Sequence, residues 1–321
     1  MAYKPQKFKP RPHEAVIGPL VALVMLIIMG WLIGLMVSEV HGDTLRVYME
    51  NDQSWHSDDD YTHGTRIEYS TDVFRLGVQQ QMYTPYDLRN EDQIEGRHPY
   101  AGTLVGFVGY RPVHRFTGKT SFYGDYELQL GVLGPASHAE ETQRFVHKIV
   151  GAKDPKGWGH QLHDEFIGQT ALWEGFDWRF LGREDGWSAH LVAEAGGMLG
   201  TLQIAPGANA DLKIGYGIED SDAHHEMYVR APKPKYGIYG LAGCSGRWWL
   251  RNELLDGNAH YVENHDTLTV DKEPLTGCLK AGFGVKCGRL ELRMLWMWWT
   301  REYKTQESIP NYASASIGYE F

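Results

Sequence analysis

The chain has 321 residues, of which 42% are hydrophobic, and its formal net charge is −10. This apolar and aromatic composition excludes a disordered chain, and the acidic balance excludes a general nucleic-acid-binding protein, which needs a basic face. Three cysteines are too few for a disulfide framework. The 37 glycines and 18 tyrosines are typical of a protein built from strands and turns.

Residues 1–42 differ from the rest of the chain and are predicted to form an export signal. Basic residues come first and an uninterrupted apolar run follows them. Val40 and Gly42 favour cleavage before Asp43. An uncleaved signal anchor is the alternative, because the apolar run is longer than the usual core of a signal peptide. In either case residues 43–321 form one exported domain.

The exported part shows the alternation of apolar and polar residues that indicates half-buried strands. In residues 289–299, for example, Leu290 and Leu292 alternate with Glu291 and Arg293. The chain ends inside another alternating segment, on an aromatic residue. The pattern predicts twelve strands, at about 43–50, 61–71, 73–83, 100–112, 121–133, 165–181, 186–203, 206–220, 235–250, 274–287, 289–303 and 309–321.

The apolar face of these strands would meet a second sheet in a soluble sandwich, or lipid in an outer-membrane barrel. The export signal, strands of about ten residues, and Trp and Tyr near the strand ends favour the barrel. We therefore expect an all-β fold, a transmembrane antiparallel β-barrel of twelve strands with both chain ends on the periplasmic side. The charged side chains of the polar faces are expected to pair and fill the lumen; they include Arg46, Arg66, Glu68, Arg289, Glu291 and Arg293.

One short helix is predicted in an outer loop. Ser137 and Glu140 have the spacing of a capping box, and Gly151 is a typical residue for the end of a helix. The sequence therefore predicts a helix over about 138–150.

Polar side chains from separated segments are predicted to converge at the outer end of the lumen. Gln143 and His147 are four residues apart and share one face of the helix, whose apolar face would lie across the barrel mouth. Asp52 and Thr62 have the inward parity of their strands. A histidine can act as a general base near neutral pH, and carboxylate and amide oxygens suit a hard cation such as Ca²⁺. Such a cation can stabilise the oxyanion of ester hydrolysis, although an ordinary polar surface remains the alternative at this point.

A set of short motifs occurs in order over about residues 43–165, and with them the chain resembles the outer-membrane lipid A 3′-O-deacylases. Residues 166–308 match this family only as alternating strands. The motifs are Glu50-Asn51-Asp52, Asp60-Tyr61-Thr62-His63-Gly64, Tyr83-Thr84-Pro85, Pro99-Tyr100-Ala101-Gly102, Gly134-Pro135-Ala136, Gln143-x-x-x-His147, Ile149-Val150-Gly151 and Gly157-Trp158.

The resemblance implies a monomeric outer-membrane hydrolase that removes the 3′-linked acyloxyacyl chain from lipid A of lipopolysaccharide, at the outer leaflet and with Ca²⁺. It implies that His147 is the base that activates water. It places Asn51, Thr62 and Gln143 among the catalytic positions and makes Asp52 a calcium ligand, with the ion helping to form the oxyanion hole.

Two positions depart from the family pattern. A family glutamate six residues after the histidine falls on Lys153, and the adjacent Asp154 is the expected substitute as a metal ligand. A family lysine falls near Asn90, and the adjacent Arg89 is expected to contact a phosphate or a glucosamine oxygen of the substrate.

Two other functions stay open. The first is a phospholipase or another esterase on the same barrel, and the second is a non-catalytic barrel with a decayed site, which Lys153 supports. A disulfide between Cys244 and Cys278 is possible because they lie on neighbouring predicted strands in an oxidising compartment, but it is not the favoured state.

Overall fold

The structure is a computed structural model, and it describes most of the chain after the predicted export signal. The signal itself, residues 1–42, lies outside the described residues. The described residues are 43–52, 60–85, 87–183, 186–218, 224–225, 228–229, 235–259, 269–307 and 309–321.

Twelve long strands form one sheet, and every predicted strand corresponds to one of them. The bounds agree with the predictions to within a few residues. The strands are β1 Thr44–Asn51, β2 Asp60–Ser70, β3 Phe74–Thr84, β4 Ala101–Tyr110, β5 Thr120–Leu133, β6 Glu165–Gly182, β7 Trp187–Gly200, β8 Gln203–Tyr216, β9 Tyr236–Trp248, β10 Leu275–Cys287, β11 Leu290–Trp299 and β12 Asn311–Glu320. Short strands at Val113–Thr117 and Arg251–Asn252 extend this sheet, and His224–His225 pairs with Tyr228–Val229 apart from it.

The sheet closes on itself. Each strand pairs antiparallel with its neighbours in sequence, and β12 pairs with β1 from Thr44 opposite Glu320 to Asn51 opposite Ala313. Closure leaves no unpaired edge, which is the condition for a sheet that lies in lipid. The predicted twelve-stranded antiparallel barrel is therefore confirmed.

The barrel is apolar outside and polar inside. In β11, Leu290 and Leu292 are each 40% exposed, whereas Glu291 and Arg293 are buried. The same alternation runs through the other strands, because successive side chains of a strand point to opposite faces of the sheet. The outward face consequently carries large apolar side chains such as Phe74, Leu76, Val78, Val108, Leu130, Phe166, Leu172, Trp187, Ile214, Ile238, Leu279 and Phe283.

Buried ion pairs fill much of the lumen. Arg66 contacts Glu68 at 2.7 Å and Glu127 at 2.8 Å, and Arg46 contacts Glu291 at 2.6 Å. A charge this far from bulk water needs a partner, and the Arg66–Glu127 and Arg46–Glu291 pairs join strands that are not neighbours in the sheet. Further pairs are Arg75 with Asp125, Arg293 with Glu291, Lys280 with Asp211 and Lys286 with Glu320.

The prediction of a charge-filled lumen is confirmed for five of its six named residues. Arg289 is the exception, because it lies exposed in the turn before β11. A cavity of about 160 Å³ remains in the lumen, lined by the charged Arg75 and Glu127 and by Tyr61, Tyr83, Tyr312 and Trp299 among others.

The two ends of the barrel differ. Both chain ends of the exported domain lie at one end, where the backbone N–H of Phe321 donates to the carbonyl oxygen of Asp43 at 2.9 Å. The opposite end, called the loop end here, carries the connections after β1, β3, β5, β7, β9 and β11. Among the described residues, no helix is long and apolar enough to cross a membrane.

The three cysteines are free. Cys244 is exposed and Cys278 is buried, so the two lie on opposite faces of the sheet. Cys244 is paired with Leu279, whereas Cys278 is paired with Ser245. The disulfide that the sequence left open is therefore absent.

Candidate active site between a helix and the outer wall

The predicted helix is present as α1, Ala139–Val150. Gly151 ends it in the left-handed region with φ 71°, as predicted. The capping box is wrong: His138 is the N-cap, it makes no side-chain capping bond, and Ser137 belongs to a preceding turn of 3₁₀ helix.

The helix does not lie across the barrel mouth. Its buried residues Ala139, Gln143 and His147 recur every four positions and face the sheet. Ala139 packs against Met82, which points outward from β3 on the side away from the lumen cavity. The predicted orientation toward the lumen is therefore wrong: α1 lies on the outer wall of the barrel, and the apolar Phe145 is 63% exposed on the opposite face of the helix.

Gly102 of β4 allows this close approach. A Cβ atom at position 102 would lie 2.3 Å from the Cβ atom of Ala139 and 2.3 Å from the Oγ atom of Ser137, closer than atoms can pack. The helix start is also tied to the wall by Gln80, whose Nε2 donates to the carbonyl oxygen of Ser137 at 2.7 Å. Residue 102 therefore sets the distance between α1 and the sheet.

We expect Gly102→Ala to loosen α1 while the barrel stays folded. Overpacking of this kind costs about 1–3 kcal/mol, so trypsin should cleave at the basic residues of α1 roughly ten times faster. Gly106→Ala is the matched control, because it lies on the same face of β4 and its Cβ would meet nothing closer than 3.9 Å. Equal cleavage rates in the two variants would show that residue 102 does not hold the helix in place.

The backbone after α1 orients the imidazole of His147. Its Nδ1 is hydrogen-bonded to the carbonyl oxygen of Lys153, and the N–H of Ala152 donates to the carbonyl oxygen of His147 at 2.9 Å. The left-handed turn at Gly151 brings this segment back over the helix end. Because a carbonyl oxygen only accepts, Nδ1 carries the proton, and the lone pair of the neutral ring lies on Nε2.

Gln143 lies one turn before His147 and is held by Trp158. The indole Nε1 of Trp158 donates to Oε1 of Gln143 at 2.7 Å. The other end of the amide, Nε2, is buried and has no hydrogen-bond partner among the described residues. The NH₂ group of Gln143 is therefore at the end of the amide away from Trp158, on a residue one helical turn from His147.

On the sheet side, a β-bulge changes the face to which Thr62 points. Tyr61 is opposite Tyr83 and His63 is opposite Met82, so Thr62 is the extra residue of β2. Tyr61 lines the lumen cavity, whereas Thr62 shares a 2.6 Å hydrogen bond with Thr84 on the outer wall. The inward direction predicted for Thr62 is therefore wrong, because simple alternation cannot anticipate a bulge.

His63 joins the strands to the helix. It lies near enough to His147 for the two imidazoles to interact electrostatically. Its own Nε2 is 2.8 Å from Oγ1 of Thr65, and its ring also bonds the backbone of Glu50. With these two hydrogen bonds His63 is a neighbour of the candidate base.

Asn51 and Asp52 end β1 beside this group. Asn51 is opposite His63 in the β1–β2 register, and by alternation with the lumen residue Glu50 it belongs to the outer wall. Asp52 follows directly and is 2% exposed. The structure therefore brings Asn51 and Thr62 to the same outer edge as Gln143 and His147, with Asp52 next along the chain.

The remaining two predicted site residues lie on the surface of the loops. Asp154 is 61% exposed and pairs with Arg144 of α1 at 3.2 Å. Arg89 is 68% exposed, and its nearest charged partner is Asp87 at 3.8 Å. Their roles as a metal ligand and a substrate contact stay predictions, and the structure gives the carboxylate of Asp154 a different partner.

Oxygen donors are the groups that a calcium site needs, typically six to eight of them. The buried carboxylate of Asp52 and the neighbouring amide of Asn51 are donors of this type. The described residues contain no cluster of three or more His, Cys, Asp and Glu side chains that could hold a metal ion. Asp52 and Asn51 therefore offer two oxygen ligands of the type that Ca²⁺ takes, and the role of Asp52 as a calcium ligand stays a prediction.

The loop after β11 is hydrogen-bonded to the first residue of β2. Tyr303 donates to Oδ1 of Asp60 at 2.7 Å, and Gln306 donates to the other oxygen of the same carboxylate. Gln306 also accepts from the backbone N–H of Glu302 at 2.6 Å. Burial in the lumen mouth and the nearby charge of Asp60 raise the pKa of Glu302 to about 8.

A raised pKa makes the neutral carboxyl of Glu302 the form that the folded state prefers. Its stabilising contribution is full below the pKa of the unfolded chain, near 4.5, and is lost as the pH rises to about 8. We therefore expect Glu302→Gln to unfold at the same temperature as the parent at pH 4 and at a higher temperature at pH 8.5, measured by heat-modified gel mobility. Glu95→Gln removes an exposed carboxyl group and should unfold at the same temperature as the parent at both pH values. If the difference in unfolding temperature between Glu302→Gln and the parent did not change with pH, the raised pKa of Glu302 would be contradicted.

Sequence reasoning missed the contributions of His63 and Trp158. Both belong to the motifs named above, but no spacing rule connects His63 to a helix that begins 76 residues later. The packed face of α1 carries Ala139, Gln143 and His147 whereas Phe145 is exposed, so the distribution of apolar residues along the helix does not indicate which face packs. Lys153 orients His147 through its backbone carbonyl oxygen, so the type of side chain at position 153 does not indicate this contact.

The arrangement combines a base with a hydrogen-bond donor on the lipid-facing side of a barrel. Nε2 of His147 can take a proton from water, and the amide of Gln143 can donate to an oxygen. This pairing suits the addition of water to a carbonyl group.

Comparison with known proteins agrees with this fold. Residues 20–321 match the family described as Outer membrane protein LpxR. No curated protein sequence matches the chain. Among solved structures, LpxR from Salmonella typhimurium has a TM-score of 0.72 and 18% sequence identity, and the match covers 87% of this chain and 100% of that chain.

Two other barrels are less similar. The β domain of the Bordetella autotransporter BrkA has a TM-score of 0.42 with 14% identity, covering 88% of this chain and 100% of that one. The KdgM porin has a TM-score of 0.37 with 7% identity, covering 87% and 99%. The family match extends over nearly the whole chain, through the barrel and the loop that carries α1, and the chain therefore belongs to the LpxR family of outer membrane proteins.

Proposed function

We propose that this protein is a calcium-dependent lipid A 3′-O-deacylase, a carboxylic ester hydrolase of the outer membrane. The observation that carries the proposal is the packing of α1 against the outer wall, where Nδ1 of His147 is bonded to a backbone carbonyl. This fixes Nε2 as the basic nitrogen on the side of the barrel that meets lipid. Membership of the LpxR family, with the ordered motifs of residues 43–165, supports lipid A as the substrate.

The position of the site suits a substrate that lies in a membrane leaflet. The acyl chains of such a lipid run along the apolar outer wall, and its ester bonds lie near the boundary between lipid and loops. In this proposal the loop end faces outward, so the site is at the outer leaflet. The exposed Phe145 and Ile149 of α1 then contact neighbouring acyl chains.

His147 is the general base of the proposed reaction. Its Nε2 accepts a proton from a water molecule while the water oxygen forms a bond to the ester carbonyl carbon. The tetrahedral intermediate then collapses, the carbon–oxygen bond to the sugar breaks, and the proton passes from the imidazolium to the leaving sugar oxygen. The products are a free fatty acid and a sugar hydroxyl group, so no further reactant is needed.

Gln143 and the strand residues bind the reacting groups. The amide hydrogens of Gln143 are aimed away from Trp158 and can donate to the oxyanion as negative charge develops. Thr62 and Asn51 lie on the outer wall beside α1, where in this proposal their side chains orient the water and the ester.

Calcium is the proposed cofactor, with Asp52 as its carboxylate ligand. When bound, Ca²⁺ supplies positive charge that stabilises the oxyanion. Asp154 was the second expected ligand, but it pairs with Arg144, so the proposal does not depend on it. Arg89 is the proposed contact for a phosphate or sugar oxygen of the substrate, since it is exposed on the loop that follows β3.

The lysine at position 153 is weak support for a decayed site. Its backbone carbonyl orients His147, and any residue type supplies that group. The base would therefore be held in the same way with glutamate or lysine at this position.

The test is product analysis with the purified, refolded barrel. Incubation with lipid A and Ca²⁺ in detergent micelles should release the 3′-linked acyloxyacyl chain, seen by mass spectrometry as one mass loss. A phospholipid substrate in the same micelles separates the proposed activity from that of a phospholipase. Intact lipid A together with hydrolysed phospholipid would replace this proposal with the second function, and no product from either would favour a non-catalytic barrel.

A further inference from the structure

We propose that Trp158 is a positioning residue that fixes which end of the Gln143 amide faces the substrate. The inference rests on the proposed function, because it assigns a role within that site. Trp158 comes eleven residues after the candidate base, in the segment that returns from α1 toward the barrel.

Trp158 is one of the most deeply buried side chains of the protein. It is 1% exposed and packs with Met82, Leu88 and Ala139. Its ring meets Tyr100 edge-on, with centroids 5.2 Å apart and an interplanar angle of 61°. The indole is therefore held in one place by the wall and the helix together.

The fit around this indole also depends on the residue before it. A Cβ atom at Gly157 would lie 2.3 Å from the Tyr100 ring. Glycine thus lets the chain pass the tyrosine and bring Trp158 under the helix. The sequence pair Gly157-Trp158 is in this way explained by packing.

The chemistry of the contact determines the orientation of the amide. An indole N–H can only donate, so it selects the oxygen end of the Gln143 side chain. The NH₂ end must then point elsewhere, and it is buried without a hydrogen-bond partner among the described residues. Burial of a hydrogen-bond donor without a partner costs free energy. The burial of the Gln143 NH₂ group is therefore best explained by a ligand oxygen to which it donates during turnover.

Without the indole N–H, the two ends of the amide become nearly equivalent in the fold. The side chain could then rotate and present its oxygen to the developing oxyanion, which would repel it. Trp158 therefore acts through Gln143 and need not touch the substrate itself.

The test is a double-mutant cycle with Trp158→Phe and Gln143→Ala, measured on lipid A in mixed micelles. Trp158→Phe keeps a ring in the pocket and loses the donor, and we expect kcat to fall about 10- to 100-fold with KM within roughly twofold. In the Gln143→Ala background, the same change should have almost no further effect on kcat. Trp178→Phe, on the lipid-facing wall, is the control for loss of a tryptophan as such.

Unchanged kcat in Trp158→Phe, or an equal loss in both backgrounds, would overturn the inference. A second readout is independent of activity: the indole proton of Trp158 should exchange slowly with solvent in the parent barrel and faster in Gln143→Ala, followed by NMR of ¹⁵N-labelled protein. No change in that exchange would also overturn it. If the parent barrel fails to hydrolyse lipid A, the proposed function fails, while the exchange experiment still decides whether Trp158 orients Gln143.

Discussion

His147→Asn is expected to abolish hydrolysis of lipid A by the purified barrel. Asparagine can still donate to the carbonyl of Lys153, so the turn after α1 should survive, but it has no basic nitrogen in place of Nε2. Loss of a general base typically lowers the rate about 10²- to 10⁴-fold. The measurement is release of the 3′ chain by mass spectrometry, with heat-modified gel mobility as the check on folding.

His138→Asn is the matched control for this variant. His138 precedes the same helix, its side chain is exposed, and asparagine tolerates its left-handed backbone with φ 55°. It should retain parental activity. A fully active His147→Asn barrel would rule out His147 as the base and with it the mechanism proposed here.

Removal of Ca²⁺ is expected to have the second large effect. Excess EGTA should stop lipid A hydrolysis, and added Ca²⁺ should restore it, because the proposed ion stabilises negative charge in the transition state. Asp52→Asn removes the buried carboxylate, so the Ca²⁺ concentration for half-maximal activity should rise by about tenfold or more.

Asp154→Asn provides the comparison, since it removes a carboxylate that already pairs with Arg144. We expect its calcium requirement to stay within about twofold of the parent. An equal shift in both variants would support the ligand role that the sequence assigns to Asp154. Undiminished turnover in EGTA would instead remove calcium from the proposal.

Much of the fold could be predicted from the sequence because the period of two is strong in these strands. Apolar and charged residues alternate without interruption from Leu290 to Arg293. Because lipid lies on one side of the strand and a polar lumen on the other, the leucines must face outward and the charged residues inward. The helix was also predictable, because Gly151 marks its end and loop residues flank it. Its cap was not, since the N-terminal turn is set by the wall against which it packs.

The sequence indicated which residues belong to the candidate site, but not on which side of the barrel wall they lie. Alternation puts Thr62 in the lumen, and one bulged residue moves it to the outer wall. Nothing local in the sequence specifies that Gly102 lets α1 approach the outside of β4. Both facts depend on contacts between distant segments, which a single sequence does not display.

The location of α1 outside the barrel has a consequence for how the protein would meet its substrate. A lipid substrate would reach a site on the lipid-facing wall by lateral diffusion within the leaflet, and the surface density of the lipid would then govern the occupancy of the site. Dilution of the substrate with inert detergent at constant bulk concentration should therefore slow turnover.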